Sequence, residues 1–496
     1  MLSRLAPRDP DDIPFVRNFD KWGFRLAGYR SLWNNSKDLF QDAYGSFTKH
    51  GRPCWIPGAS FSKHLALPHT YLPWMATQPD SVFNHREAFD ELVKAKWAIG
   101  DRKYITEPWP TKLLNTKLRE NFDDLIKAFH AEVQLAVTEQ LGEDNAEWRE
   151  VPVYRAMKTI LVRASGRWIV GKALCQDPLF NRLTVAYMDT VFYVSGILHY
   201  TPVILHPLVG PLVSLRQRYI IEQAKKLVRP GFEERLGYLS SSSQDAAPQD
   251  FLYDAMRHAY TSRKEDFNLH DITIYALYVY WATCHQITVT AASTLLEILK
   301  SDAEYATTTR LQAESTQVFG TDEPTWSKAT AARCSLMDST LRESLRLHTF
   351  ISRHVFKKIM VDGVKAPDGT VLPKGALTCV ISRPLHTDHE LISEGNKFIP
   401  FRFAPAKEIP EGIPTDSAGK KMTTITPDYL PFAYGKHACS GRFLADVTLK
   451  MLFTHILRHF DVELSPKNPC PQPVVHREAT LPPRHALIRA RRKIKV

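Results

Sequence analysis

Hydrophobic residues recur at helical spacing through much of the middle of the chain. In "LRENFDDLIKAFHAEVQLAVTEQL" (118–141) most apolar positions are three or four residues apart, which predicts an amphipathic helix. The segment "DITIYALYVYWATCHQITVTAASTLLEILK" (271–300) is apolar on nearly all sides, so we expect a helix buried at the centre of the fold. Another helix is predicted over 325–348, with Thr325 as its N-cap, and a last one follows Cys439.

Two other segments have the pattern of β-structure. Residues 46–80 are rich in proline and aromatic residues, which is typical of short strands and loops. Residues 353–385 alternate apolar and polar side chains around "DG" turns, which predicts a small antiparallel sheet. With helical parts at about 84–350 and 439–460, the chain is predicted to be mainly α with a smaller β region, an α+β fold.

The segment "FYVSGILHYTPVILHPLVGPLVSLRQ" (192–217) is very apolar, but prolines interrupt it, so it cannot form one continuous helix. Two interpretations stay open. The segment forms helices packed in the core, or it forms a hydrophobic surface that lies on a membrane or lines a substrate entrance. Further along, "SSSSQDAAPQD" (240–250) has the composition of a linker.

Composition narrows the class of protein. The 496 residues carry a formal net charge of +11, which suits nucleic acid, an anionic membrane surface or an acidic protein partner. No arginine-rich arm or zinc finger is present in the sequence, so nucleic acid is not expected as a partner. Seven widely spaced cysteines without a CxxC pair argue against a disulfide framework and against a structural zinc site. The N-terminal segment, 1–45, has no evident membrane span.

Cys439 lies in "PFAYGKHACSGRFLA" (431–445), just before the last predicted helix. The residues alone leave three interpretations open: a buried spare thiol, a nucleophile or a metal ligand. Exposed N–H groups at a helix start stabilise a thiolate. Gly435 and Gly441 have no side chains, so a flat ligand could approach the backbone closely.

Two further motifs precede this loop. Glu343 and Arg346, in "LRESLRLH", are three residues apart and so share a helix face, where they can form a salt bridge. Downstream, "NKFIPFRF" (396–403) contributes Arg402. Each motif is weak evidence by itself, because such pairs are common on solvated helices.

Together these motifs, in this order and spacing, resemble the cytochrome P-450 superfamily of haem-thiolate monooxygenases, in its fungal secondary-metabolism branch. The resemblance covers about residues 50–490. It implies one domain over 46–496, a triangular helical bundle around a buried haem b. In it Cys439 would be the axial thiolate ligand of the iron, and Glu343, Arg346 and Arg402 would form a buried network under the haem.

The resemblance also implies contacts to the rest of the cofactor. His437 and Arg353 match positions that bind the haem propionates, although a packed histidine and a solvated arginine are the alternatives. Phe432 opens the haem-binding loop. The family's early Trp–x–x–x–Arg contact is not clear in this chain, and Lys117, near Trp109, is our candidate for it.

The oxygen side departs from the family pattern. The alignment places His285 at the usual acid position and Gln286 at the usual alcohol position of "WATCHQIT" (281–288). Gln286 could still position water, or Thr288 or the substrate could supply a hydroxyl. Otherwise the enzyme would favour coupling or desaturation, and His285 is either an acid–base group or a hydrogen-bonded core histidine. We expect substrate contacts from the following residues: Ala282, Val289, Phe350 and Ile351.

The function implied by the resemblance is oxidation of a bulky hydrophobic secondary metabolite of terpenoid, indole-diterpene or alkaloid type. O2 would be the oxidant, with electrons from an NADPH–cytochrome reductase that docks on a basic face. Alternatives are oxidative coupling, desaturation or isomerisation on the same haem, or a non-enzymatic haem or lipid carrier. We expect a monomer on the cytosolic face of the endoplasmic reticulum membrane, with a cytoplasmic enzyme as the alternative.

Overall fold

Helices dominate the residues that the computed structural model describes, which are 13–18, 27–107, 109–120, 122–240, 247–414 and 418–494. The α-helices in these ranges are α1 (Tyr29–Asn34), α2 (Ser36–Ser46), α3 (Leu72–Thr77), α4 (His85–Val93), α5 (Ala95–Ala98), α6 (Lys103–Thr106), α7 (Trp109–Glu120), α8 (Phe122–Leu141), α9 (Val153–Ile169), α10 (Lys172–Cys175), α11 (Pro178–His199), α12 (His206–Val213), α13 (Leu215–Ser240), α14 (Phe251–Ser262), α15 (Leu269–Tyr305), α16 (Thr307–Phe319), α17 (Lys328–Arg333), α18 (Ser335–Leu347), α19 (Arg383–His386) and α20 (Arg442–His459). Most of the predicted linker and much of the N-terminal segment lie outside the described residues.

Strands are short and form small sheets. They are β1 (Cys54–Pro57), β2 (Lys63–Ala66), β3 (Phe83–Asn84), β4 (Arg149–Pro152), β5 (Arg353–Ile359), β6 (Val364–Lys365), β7 (Val371–Leu372), β8 (Leu377–Ile381), β9 (Phe460–Leu464), β10 (Val474–His476), β11 (Ala479–Leu481) and β12 (Leu487–Arg492). The largest sheet has the order β1-β2-β8-β5-β3, in which only β2 and β8 are parallel. A second sheet has the order β4-β12-β9. The predicted mainly α fold with a small β region is confirmed.

The long helix α15 lies at the centre of the helical part, as its apolar sequence predicts. It packs against α9, α11, α13, α14, α16 and α18. The Asn268 side chain caps its start by accepting the N–H of Asp271 at 2.9 Å. Because these neighbours pack along the middle of the helix, we expect side chains that stay accessible there to face an interior cavity.

The predicted helix over 325–348 is two helices. Ser327, and not Thr325, is the N-cap: its hydroxyl accepts the Thr330 N–H at 3.2 Å, and the Thr330 hydroxyl accepts the Ser327 N–H at 2.8 Å. The chain then leaves helical geometry at Cys334, and α18 begins at Ser335. The prediction of Thr325 was wrong because a reciprocal capping box satisfies two backbone donors, whereas Thr325 could satisfy one.

Prolines divide the apolar segment 192–217, as predicted. Helix α11 ends at His199, a 3-10 turn covers Val203–Leu205, and α12 follows at His206. None of the helices in the described ranges is both long and apolar enough to cross a bilayer.

Candidate active site

The loop around Cys439 has a fixed, tight geometry. It contains a 3-10 turn, Gly435–His437, and the Cys439 N–H donates to the Phe432 carbonyl at 2.9 Å. Gly435 has a φ of +73°, and a Cβ at this position would lie 2.6 Å from the Cβ of Ala76. Glycine is therefore required here both by the backbone conformation and by the approach of α3.

The Cys439 thiol suits a metal ligand better than a spare thiol. Its side chain is accessible although protein surrounds the sulfur, so it lines an interior cavity. Burial raises the pKa of the Cys439 thiol, while the N–H groups of Gly441 and Arg442 and the Arg442 charge oppose that rise. A cation bound to the sulfur would provide the stabilisation of the thiolate that burial removes.

Glu343, Arg346 and Arg402 form one buried network, as the motifs predict. Arg346 Nε and Nη2 each lie 2.7 Å from a Glu343 carboxylate oxygen, and Arg402 Nε lies 3.1 Å from Oε1. All three side chains are almost fully buried. The remaining guanidinium donors go to backbone carbonyls, with Arg346 Nη1 donating to His386 at 2.7 Å. The network joins α18 to the loop before Cys439.

The predicted propionate-binding residues are positioned by acidic neighbours. His437 Nε2 lies 2.8 Å from Asp80 Oδ1. Arg353 is fully buried in β5 and makes a two-pronged ion pair with Glu478, at 2.7 and 2.9 Å. The placement of both side chains is thus fixed by partners within the protein.

Lys117, the candidate for the early cofactor contact, has an acidic partner. Its Nζ lies 2.6 Å from Asp254 Oδ2, and the side chain is buried between α7 and α14. The structure gives Lys117 a protein counter-charge, which lowers its availability for a bound anion.

Lys357 is a cation that the sequence analysis missed. It lies in β5, is 2% exposed, and makes no ion pair or side-chain hydrogen bond with any residue in the described part of the chain. Burial lowers the pKa of Lys357 to about 8, and the neighbouring Lys436 charge acts in the same direction. Its charge also lowers the pKa of His437, so the two groups lie close together. No short sequence pattern marks this lysine, since the adjacent Lys358 in the same strand is partly exposed.

The accessible residues of α15 show which side of the helix faces the cavity. Ala282 and Gln286 are exposed on a helix that is otherwise mostly buried, and Tyr278, Thr283 and Ile287 are partly exposed. These residues are three to five positions apart and lie on one helix face. The predicted substrate residue Ala282 and the predicted catalytic residue Gln286 therefore face the same space.

His285 is adjacent to this face and packs among aromatic rings. Its ring centroid lies 4.0 Å from that of Phe192 and 5.0 Å from that of Phe350. Neither ring nitrogen has a hydrogen-bond partner among the described residues. Burial lowers the pKa of His285 to about 3, with a smaller contribution from Lys158, so the imidazole is neutral near pH 7.

Thr288 and Val289 are on the buried side of α15. Thr288 is fully buried, and its hydroxyl donates to the Cys284 carbonyl at 2.7 Å. Val289 is also buried. The two other predicted substrate residues follow α18: Phe350 contacts His285, and Ile351 forms a β-bridge with Ala479.

The described residues fit a haem. Cys439 provides a sulfur ligand in an interior cavity, Gly435 permits close packing of its loop, and Lys357, beside His437, is a buried cation that forms no ion pair with a described residue. A planar group with an iron centre and carboxylates at its edge would satisfy both the thiol and the lysine.

Comparisons with known proteins agree with this geometry. The family model for cytochrome P450 matches residues 111–489. Cytochrome P450 monooxygenase astC of Aspergillus terreus is 31% identical, over 99% of this chain and 93% of its own length. Cytochrome P450 monooxygenase pbrC of Penicillium brasilianum is 30% identical, over 99% and 93%. Cytochrome P450 monooxygenase tenB of Beauveria bassiana is 31% identical, over 89% and 84%.

Proposed function

This chain belongs to the cytochrome P450 family of haem-thiolate monooxygenases, and we propose that it oxidises a bulky hydrophobic secondary metabolite with electrons from an NADPH-dependent reductase. The observation that carries the proposal is the pairing of an accessible, enclosed Cys439 with an accessible face of α15. In this arrangement Cys439 would hold the cofactor, and the accessible face of α15 would place Gln286 beside the reacting groups.

Cys439 would hold the haem iron, and His437, Arg353 and Lys357 would meet the propionates. When bound, the haem supplies O2 binding and activation, and the thiolate favours O–O cleavage, as is established for this family. The Gly441 and Arg442 N–H groups would favour the anionic sulfur and so oppose the rise in pKa that burial causes. The buried network of Glu343 would hold the backbone before the loop in place.

Gln286 is an exposed polar group on the accessible face of α15, where it can hydrogen-bond water. Its amide can donate to one water and accept from another, but it cannot itself release a proton readily. We assign it to the positioning of water, with the proton coming through that water. His285, neutral and unpartnered, can accept or donate one hydrogen bond at the edge of the same space.

The substrate side is apolar and aromatic. Trp281, Phe192, Phe350 and His285 form one ring cluster, with Phe192 at 5.7 Å from Trp281 and 5.8 Å from Phe350. Such walls exclude water and favour a large hydrophobic molecule. This supports a substrate of terpenoid, indole-diterpene or alkaloid type over a small polar one.

A basic groove beside the Cys439 loop supports docking of an acidic reductase. The groove has a volume of about 700 Å³, and its lining includes Ser440, Arg442, Lys328, Lys420 and Lys421. Electrostatic attraction of this kind raises association rates and weakens with salt. We assign electron entry to this side of the protein.

An exposed apolar segment supports contact with a membrane. Residues of the 3-10 turn, α12 and the start of α13 expose large hydrophobic side chains, namely Val203, Ile204, Leu205, Leu208, Leu212, Leu215 and Tyr219. Of the two interpretations of 192–217, the exposed surface applies to its second half. We propose that it rests on the endoplasmic reticulum membrane, with the protein on the cytosolic side.

A second candidate is oxidative coupling or desaturation on the same haem. The observation that favours it is the placement of Thr288, whose hydroxyl is committed to the Cys284 carbonyl inside the core. Because that hydroxyl is already hydrogen-bonded, proton supply depends on Gln286 and water. Hydrogen abstraction from the substrate without oxygen insertion then competes better with hydroxylation.

The test compares Cys439→Ser with Cys470→Ser in haem-loaded protein. Cys470 is also accessible, so the second variant controls for loss of a thiol. We expect the parent and Cys470→Ser to give the thiolate-type ferrous–CO band and NADPH-dependent product from a hydrophobic substrate panel with reductase, and Cys439→Ser to give neither. A normal band in Cys439→Ser would refute the assignment. Product formation without reductase and NADPH would instead favour isomerisation.

A further inference from the structure

Three histidines and a glutamate lie close together near the C-terminal end of α20. His130 lies in α8, His455 and His459 lie near the end of α20, and Glu323 lies between α16 and α17. Ligand atoms of His130, Glu323 and His455 all lie within 4.8 Å of one another. His459 Nε2 lies 3.2 Å from Glu323 Oε1, and its ring centroid is 4.5 Å from that of His455.

Two of these imidazoles have nitrogen atoms that no described residue satisfies. Both nitrogens of His455 and Nε2 of His130 are buried without a hydrogen-bond partner in the described ranges. His455 is 5% exposed, so the whole ring is held inside the cluster. Burying an unsatisfied polar nitrogen is unfavourable, so a ligand that takes up the lone pair would relieve that penalty.

The backbone presents the groups at suitable positions. His455 and His459 are one helical turn apart, so the same side of α20 carries His455 and the histidine that pairs with Glu323. Arg458 donates to the carbonyls of Gly320 and Asp322, at 3.1 and 2.9 Å, and so fixes the segment that carries Glu323. Gln134 donates to Glu323 Oε2 at 3.0 Å, which leaves Oε1 directed at the histidines.

We propose that His130, His455 and Glu323 bind one zinc ion, and that His459 holds the Glu323 carboxylate beside it. Imidazole and carboxylate are ordinary zinc ligands, and three protein ligands leave the fourth tetrahedral position to water. In tetrahedral zinc with bonds of about 2.0–2.1 Å the ligand atoms are roughly 3.3 Å apart, so the side chains must move inward by about 1 Å. The cysteine spacing that argued against a zinc site does not bear on a site made of histidines.

The surrounding charges permit this ion. Glu323 supplies a negative charge, while Arg492, whose Nη1 donates to Thr138 at 3.2 Å, and Arg458 are nearby positive charges held by other partners. The exposed position of Glu323 gives the ion a route from solvent. Bound zinc would join α8 to the end of α20, the helix that starts at the Cys439 loop, and so stabilise the support of the active site.

The test measures zinc per chain in the haem-loaded, full-length protein, carrying a Cys470→Ser change and no polyhistidine tag. After chelator treatment the protein is titrated with ZnCl2 by calorimetry, and bound zinc is counted by elemental analysis. We expect one zinc per chain besides the iron, and a rise in Tm with zinc. Glu323→Gln and His130→Ala should each weaken binding by about tenfold or more.

The controls separate the site from nonspecific binding. His270→Ala removes an exposed histidine 3.9 Å from Glu222, a pair without further ligands, and should leave zinc binding unchanged. Since Glu323 is exposed, Glu323→Gln should fold normally even where a change at buried His455 does not. Absence of stoichiometric zinc in the parent, or parental affinity in both Glu323→Gln and His130→Ala, would overturn the proposal.

Discussion

Arg402 Nε lies 3.1 Å from Glu343 Oε1, the same oxygen that accepts the Ile399 N–H at 3.0 Å and the Arg346 Nη2–H at 2.7 Å. One carboxylate therefore pairs with two buried guanidinium groups and also fixes the backbone at Ile399. Glu343 thus ties the segment before the Cys439 loop to α18, together with Ser339, whose hydroxyl accepts the Phe403 N–H at 2.9 Å.

Glu343→Gln should destabilise the protein strongly. The change leaves Arg346 and Arg402 buried with an uncompensated charge, which costs about 3–5 kcal/mol when one partner of a buried ion pair is removed. Urea unfolding of the haem-loaded protein measures the free energy of unfolding. Glu304→Gln, which removes the partner of Lys397 in an exposed ion pair, is the control and should change it by less than about 1 kcal/mol. Equal effects of the two changes would contradict this role for Glu343.

Lys357→Met should weaken haem binding without lowering the stability of the rest of the fold. The methionine keeps the volume of the side chain and removes a buried charge that has no protein partner, while a haem propionate loses its cation. Transfer of haem to excess apomyoglobin measures the rate of haem loss, which we expect to rise about tenfold. The neighbouring Lys358→Met, whose side chain is paired with Glu91 at 2.9 Å, should leave the rate unchanged. Equal rates of haem loss in both variants would show that Lys357 does not contribute to haem binding.

Much of this site follows from sequence because its motifs are local. Glu343 and Arg346 are one helical turn apart, and the glycines around Cys439 act within one loop, so spacing alone predicts their geometry. Lys357 is different, because its burial depends on the irregular pairing of β5 with β8 between His354 and Lys357. The contact of His130 with His455 likewise depends on the packing of α8 against α20. Such long-range contacts are not encoded in any short pattern.

Buried histidines should make the protein sensitive to mild acid. Burial lowers the pKa of His285 to about 3, and those of His85, His199 and His354 to about 4. Unfolded histidines bind a proton below about pH 6.5, so unfolding takes up protons between that pH and about 4. The contribution of these histidines to the free energy of unfolding is fully present above pH 6.5 and falls as the pH is lowered through this window.

Urea unfolding at pH 7.0 and 5.5 measures that loss. His285→Phe should reduce the proton uptake on unfolding by about one proton at the lower end of the window, because the variant has one fewer buried neutral imidazole. His389→Gln, at an exposed position, should keep the parental dependence on pH. An identical pH dependence in His285→Phe and the parent would show that His285 is not held neutral by burial.

The exposed apolar segment should bind lipid. Leu208 and Leu212 are 70% and 69% exposed on α12, and Leu208→Glu with Leu212→Glu places two charges where the bilayer would be. Cosedimentation with phosphatidylcholine–phosphatidylserine vesicles should fall about tenfold or more in this double variant. Leu391→Glu with Val474→Glu changes two exposed apolar residues in other segments and should bind as the parent does. Parental vesicle binding by the α12 variant would refute the membrane contact.

Gln286→Ala should lower the yield of product per NADPH consumed. The glutamine is the exposed polar side chain on the accessible face of α15, and its loss removes a group that holds water there. Because Thr288 has its hydroxyl bound to the Cys284 carbonyl, it cannot replace that function without leaving its own hydrogen bond. We expect peroxide release to rise as product falls, while substrate affinity, read from the spin-shift titration, changes little.

Ile287→Val, the next residue along the helix and partly exposed, is the control and should keep parental coupling. If Gln286→Ala also keeps it, proton supply comes from the substrate or from another part of the cavity, and the coupling or desaturation chemistry becomes the better assignment.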